Sequence, residues 1–460
     1  MKNSQAAPAA RLYTPRATLC ALGLKLRSLK FFETIAGHVH IRQKAIKHTP
    51  PEKLQDAFIA ILAGAHGLVE VNTRVRSDEA LQRAFGRSSC AEQSVVQETL
   101  DACTGENVRQ MEEAVAAIFR AHSRAYRHDY QAELLLLDVD LTGLPCGRSG
   151  ESAEVGYLSG YGVRRGRQMG RVVAPAHDEV VADRLYPGNL QLRDTLPHLV
   201  EALERTLALD EAKRRRTVLR IDAGGGSMNG INWLLKRGYH VHCKDISSKR
   251  AAHYALSVRE WVADPARRER ELGWAVVKAG DYARPVRRLA LRWRKRNGQK
   301  CHALLISTLE PREVLRLVGE PPEREADEQA VMLAYARLYD GRGGGVEIEI
   351  KESKQGLGIT GRRKKSYTGQ QMVMLLGALA HNVVVWAKRW LMEDAPKLKR
   401  YGVQRVVRDV LAVSGFVELG KGERVKRVML NSASALGRAC AKAFRVLLEA
   451  EHVRVTLGET

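Results

Sequence analysis

Two short apolar runs, each ending in an aspartate, restrict the architecture of this chain more than any other feature. Residues 134–139 lead into Asp140, and residues 218–221 lead into Asp222. Runs of this length, rich in Leu, Val and Ile, read as buried strands, so both carboxylates are expected at strand ends where a central sheet opens. Open α/β sheets bind their ligands there. A third acid, Glu347, lies in YDGRGGGVEIEIKESK, residues 339–354. Carboxylates that converge on one point repel one another and stay ionised together only beside a divalent cation. The pattern therefore points to a hard, oxygen-ligated metal site.

Charge narrows the partner. The chain carries 75 Lys plus Arg against 52 Asp plus Glu, a net charge of +23, which favours a polyanion, most commonly nucleic acid. A ribosome-associated protein or one bound to an anionic membrane would carry the same sign. Cys20, Cys90, Cys103, Cys146, Cys243, Cys301 and Cys440 form no close pair, which excludes a disulfide framework or zinc ribbon and suits a reducing cytoplasm. His240, His242 and Cys243 sit in one run, but without a second ligand pair nearby they read as ordinary strand residues. No acid precedes Glu33, so the N-terminus reads as a flexible basic arm along phosphates, with no signal peptide. The apolar stretch 372–390 contains His381 and Asn382 and reads as a buried core helix, so no membrane is expected.

Periodicity divides the chain. PEKLQDAFIAILAG places Leu54, Phe58, Ile61 and Leu62 on one helical face. Ser77 is expected to cap a short helix ending near Gly86, followed across a GRSS turn by another over 90–100, a pair compatible with helix-turn-helix DNA binding. A longer helix over 105–126 completes an all-helical domain over 1–128. Strands then dominate. LLLLDVD is the first, and GRVVAP and EVVADRL flank a turn carrying His177 and Asp178, as in a hairpin. A helix over 190–209, the strand VLRID, a helix around 229–236 and the strand GYHVHCK follow. WAVVKAGDY, RLALRWRKR and CHALLIST suggest a β-rich segment over 246–324, with one basic face on RLALRWRKR. A helix over 326–339 returns the chain to its core over 325–395, leaving 396–460 for dimerisation or DNA contact.

The residues around the acids resemble the DDE transposases of bacterial insertion sequences, in the branch with a Tyr, Arg, Glu, Lys signature. Tyr339 precedes Arg342 by three places and Lys354 follows Glu347 by seven, while four residues rather than the usual three separate Arg342 from Glu347. Asp138, Asp140 and Thr142 match an Asp-x-Asp-x-Thr pattern, LRIDAGGGSMNG a strand-Asp-glycine turn, and DRLYPGN a further block. The resemblance covers roughly residues 50–390. It implies a ribonuclease-H-like α/β core over 129–245 and 325–395, a mixed sheet flanked by helices, with the N-terminal helical domain binding DNA ends and the β-rich insertion before the third carboxylate. It further implies Asp140, Asp222 and Glu347 as catalytic metal ligands for two Mg²⁺ or Mn²⁺ ions, and Tyr339, Arg342 and Lys354 as DNA contacts. The partners would be transposon-end and target DNA and a second copy of the chain in a synaptic complex, in the bacterial cytoplasm at the nucleoid.

The chemistry is consistent with this without the family. Phosphodiester cleavage or strand transfer needs a deprotonated oxygen nucleophile and relief of charge on the leaving oxygen, which two carboxylate-held divalent ions supply. Taken singly, each acid has an ordinary explanation: Asp140 or Asp222 as a turn or cap residue, Asp138 as a neighbour on the same strand face, Glu347 and Lys354 as a solvated helix face. Their ordered combination with a basic chain favours catalysis. VLRIDAGGGS with Asp245 also resembles the first motif of S-adenosylmethionine-dependent RNA methyltransferases, although Met228 stands at the usual third glycine. A non-catalytic DNA-binding derivative of a transposase is the remaining alternative.

Overall fold

The computed structural model describes residues 10–44, 47–276 and 280–459, a mixed α/β chain with two mixed sheets and many helices. The expected basic arm falls largely on residues 1–9, and the centre of WAVVKAGDY on 277–279, both outside the described residues. Residues 124–145 and 152–350 form one compact unit; residues 1–123, 146–151 and 351–460 form the other.

Strand β1 (Arg11–Thr14) belongs to the second of these units. The first unit holds β2 (Leu135–Pro145), β3 (Glu154–Leu158), β4 (Gly162–Ala174), β5 (Glu179–Pro187), β6 (Thr217–Ile221) and β7 (His240–Lys244). It also holds β8 (Val262–Ala263), β9 (Glu271–Trp274), β10 (Arg287–Arg294) and β11 (Lys300–Ser307). The strands β12 (Gly415–Leu419), β13 (Val425–Asn431) and β14 (Arg454–Gly458) return to the second.

In the first unit the sheet order is β3-β4-β2-β6-β7-β11-β10-β9-β8, with β5 also on β4. β4 pairs antiparallel with both β2 and β5, whereas β2, β6 and β7 run parallel. Parallel strands are covered on both faces, which is why all five residues of β6 are buried and the run reads as apolar. The helix Met228–Lys236 makes the crossover from β6 to β7, and Leu192–Leu207 follows β5. β4 and β5 meet at the 3₁₀ turn Pro175–His177, where Asp178 takes a left-handed φ of 57°. The segment expected as a β-rich insertion contributes β8–β11, which extend the same sheet by antiparallel pairing of β11 with β7. Of its expected basic face, Arg292 is engaged internally, bonding Glu271 at 2.6 and 3.0 Å and lying 4.1 Å from the Trp261 ring, whereas Arg294 is exposed. On the other face, Leu289, Leu291 and Leu305 pack with Tyr335 and Leu338 of the helix Glu328–Asp340.

The two aspartates differ in where their strands end. β2 does not stop at Asp140: parallel pairing with β6 ends at Val139, but antiparallel pairing with β4 carries the strand to Pro145. Asp222 does follow the last residue of its strand.

The second unit contains the sheet β1-β12-β13-β14, so the stretch expected to be all-helical carries one strand, paired with a partner near the far end of the chain. The helix Pro50–Leu62 starts in a capping box from Thr49 and Glu52 and buries Leu54, Phe58, Ile61 and Leu62. Asp78, not Ser77, caps Glu79–Ala84: its Oδ1 accepts from the Leu81 N–H at 2.9 Å, while the Ser77 hydroxyl donates to the Thr73 carbonyl. The helix Tyr367–Met392 is long and apolar enough to cross a membrane, but its most apolar window is buried inside the protein.

Candidate active site

The register of the central strands brings the acids to one place. Asp138 and Arg220 are directly opposed on β2 and β6. Side chains two residues further on share their face, so Asp140 and Asp222 follow side by side where the parallel pairing ends. Glu347 comes from the start of the helix Val346–Gly356, after the 3₁₀ turn Gly341–Gly344.

Asp138 anchors this turn. Its two carboxylate oxygens accept from Arg220 Nε and Nη2 at 2.6 and 2.7 Å, and Oδ2 also accepts from the Val346 N–H at 3.4 Å. Arg220 donates in addition to the Leu338 carbonyl. A Cβ on Gly345 would stand 2.4 Å from Asp138 Oδ2, so a glycine is required where the chain enters the helix. Asp138 is thus a positioning residue that ties both sides of the turn to the sheet. A second buried pair does the same further along. Arg171, opposite Asp140 on β4, bonds Asp183 at 2.8 and 2.6 Å and donates to the Glu349 carbonyl at 3.3 Å.

Asp140 is the electrostatic focus. Burial pushes its carboxyl up to about 7, Arg342 works against this, and Asp222 and Glu347 add to it. The Arg342 Nη2 lies 3.5 Å from Asp140 Oδ1 and 3.4 Å from the Val139 carbonyl. Burial opposes the Arg342 charge, but Asp140, Tyr339 and Asp222 outweigh it and raise its pKa. The Tyr339 hydroxyl is pushed up to about 12, chiefly by burial, with Asp222 adding to the shift. Tyr339, Arg342, Asp140, Asp222 and Glu347 therefore sense one another's charge. Lys354 lies in the other unit, at the far end of the glutamate helix. Among the described residues no three His, Cys, Asp or Glu side chains already stand in an arrangement that holds one ion.

Beside Glu347 opens a cavity of about 490 Å³ lined by Lys244, Arg267, Arg268, Arg270 and Arg294 as well as Tyr339 and Arg342. Asp340 pairs Arg267 at 3.0 Å and Arg270 at 2.5 Å. Lys244 lies 5.2 Å from the Tyr339 ring centre and 6.0 Å from that of Trp293, and burial lowers its pKa. Sequence reasoning missed these cations and Arg220. Arg220 carried a signal, because an arginine inside a buried apolar run requires a buried partner. His242, by contrast, is a core residue: Nε2 meets the Tyr335 carbonyl at 3.1 Å and burial lowers its pKa to about 3.

No protein-family model and no curated protein sequence matches the chain. A solved structure described as "Cryo-EM structure of piggyBac transposase synaptic complex with hairpin DNA (SNHP)" is similar at 12% identity and a TM-score of 0.32, over 88% of this chain and 87% of that one.

Proposed function

We propose that this chain is a transposase that cuts DNA at the ends of its own insertion sequence and joins them to a target, with Asp140, Asp222 and Glu347 as its metal-binding carboxylates. One observation carries the reading: a half-buried aspartate whose proton is held by desolvation and by two further acids, one of which, Glu347, lines a cavity rich in cations. The order β5-β4-β2-β6-β7, antiparallel then parallel, supports the ribonuclease-H-like reading.

The donors are all carboxylate oxygens, which suits Mg²⁺ or Mn²⁺. Two such ions would activate the attacking oxygen and neutralise the leaving one. Asp138 and Arg171 hold the turn and helix that present Glu347, so the third carboxylate is set against the other two. Lys244, Arg268 and Arg294 attract the DNA phosphates, while Arg342, buried and paired with Asp140, bounds the cavity wall. Tyr339 bounds the same space. Two copies of the chain would act on two ends.

The methyltransferase alternative is less well supported. A Cβ on Gly226 would meet the Lys244 carbonyl at 1.8 Å, so this glycine serves packing of the turn against β7. Asp245 is held by Arg250 at 2.6 and 2.7 Å.

The test is strand cleavage on duplexes carrying the sequences that flank the gene. Cleavage should require Mg²⁺ or Mn²⁺, and Asp140→Asn or Asp222→Asn should lower it by about 10³-fold or more with DNA binding kept. Cleavage in EDTA, or methyl transfer from S-adenosylmethionine, would end the proposal.

A further inference from the structure

The hairpin of β3 and β4 has one packed face and one open face. Leu158 is fully buried, and a Cβ on Gly156 would stand 2.2 Å from the Gly188 carbonyl, so one face is fixed against the rest of its unit. The opposite face is apolar and exposed. Val155 is 52% exposed, Tyr157 61% and Val163 75%, with Tyr161 at the turn. Tyr157 faces Val163 across the strands and Val155 faces Arg165, so these form two adjoining rows on one surface. Exposed apolar rows on a rigid element mark a surface with a partner.

The charges around the rows identify that partner. Arg165 stands in the same rows opposite Val155, with Nη1 also on the Ala153 carbonyl; Arg164, exposed at the edge beside the turn and opposite Gly156, lies 6.0 Å from the Tyr161 ring; and the chain as a whole carries +23. Apolar and aromatic side chains flanked by arginines on a two-stranded ribbon suit duplex DNA, with the arginines on phosphates and the apolar rows against the sugars of a groove. We propose that this hairpin is a duplex-DNA contact placed beyond the catalytic acids. It rests on the DNA reading above but not on its metal chemistry.

The sheet sets its reach. Arg171 pairs with Asp140, and Arg165 and Val163 precede it on β4 by six and eight residues. At about 3.4 Å per residue the rows lie about 20–27 Å along the strand from Asp140. That equals about six to eight base pairs of B-form DNA.

The test uses the full chain in EDTA with a fluorescein-labelled duplex of mixed sequence, measured by anisotropy and hydroxyl-radical footprinting. Y157S with V163S should keep the thermal midpoint, weaken duplex binding about tenfold and lose a short patch of sugar protection. Arg164→Ala with Arg165→Ala should reduce the slope of log affinity against log salt by about one to two. Wild-type affinity and footprint in Y157S with V163S would overturn the proposal. So would a change in oligomeric state by light scattering with DNA affinity intact, which would assign the face to a second copy. Asp140→Asn keeps the footprint in this assay. An intact footprint without Mg²⁺-dependent cleavage therefore condemns only the catalytic reading, and cleavage with an unchanged variant footprint condemns only the hairpin.

Discussion

Glu347, Glu349 and Glu352 share one helix and have three different surroundings. Glu347 is exposed at the cavity wall and acts on the Asp140 proton. Glu349 is buried, on a stretch of backbone held by Arg171, and Glu352 accepts from the Gln404 N–H at 2.5 Å. Glu347→Gln should therefore abolish cleavage, whereas Glu349→Gln and Glu352→Gln should lower the thermal midpoint and keep much of the activity at a permissive temperature. A strand-cleavage assay beside a melting curve separates the two outcomes. Asp140 gives a second residue-scale expectation. Its folded pKa of about 7 lies above the ordinary carboxylate value, so between about pH 4 and about pH 7 the folded chain holds a proton that the unfolded chain has lost. Stability in EDTA should fall as pH rises through that window, by an amount on the order of a few kcal/mol. Urea denaturation across the window should show this slope in the wild type and its loss in Asp140→Asn.

Elements differ in how much of themselves they write into the sequence. β6 was legible because a parallel strand covered on both faces is largely apolar, apart from Arg220, and the helix Tyr367–Met392 because it is buried nearly all round. The extension of β2 to Pro145 was not, since DLTGLP has no strand pattern and is held by β4 alone. β1 was hidden for a similar reason: it is four residues long and its partner, β12, lies near the other end of the chain. The three acids could be read from their places beside recognisable strands and glycines. The cations of the cavity could not, because Lys244 and Arg294 come together only when β11 joins β7 to β10. The turn after β6 tests the same distinction. A Cβ on Gly226 meets the Lys244 carbonyl at 1.8 Å, while one on Gly224 meets Asp222 Oδ1 at 3.1 Å. Gly226→Ala should cost about 3 kcal/mol in urea denaturation, since backbone must move. Gly224→Ala should keep the fold and disturb Asp222, so cleavage falls while the denaturation midpoint holds.

At the scale of the whole molecule the excess of +23 sets how DNA is met before any chemistry occurs. Each neutralised phosphate contributes about −0.9 to the slope of log affinity against log salt, so binding should weaken steeply with salt and be partly indifferent to sequence. The cavity allows a sharper expectation. Arg267 and Arg270 are already paired with Asp340, and Arg342 with Asp140, so their charges are largely spent within the protein. Lys244, Arg268 and Arg294 line the same cavity and should carry the phosphate contacts there. Replacing these three by Gln should make the salt slope shallower by about three and weaken specific and non-specific duplexes by the same factor, because phosphates carry no sequence information. Titrations of both duplexes over a salt series would check this. A triple variant with an unchanged slope would place the DNA backbone elsewhere on the chain, and the cavity would then have to be explained by a smaller anionic ligand.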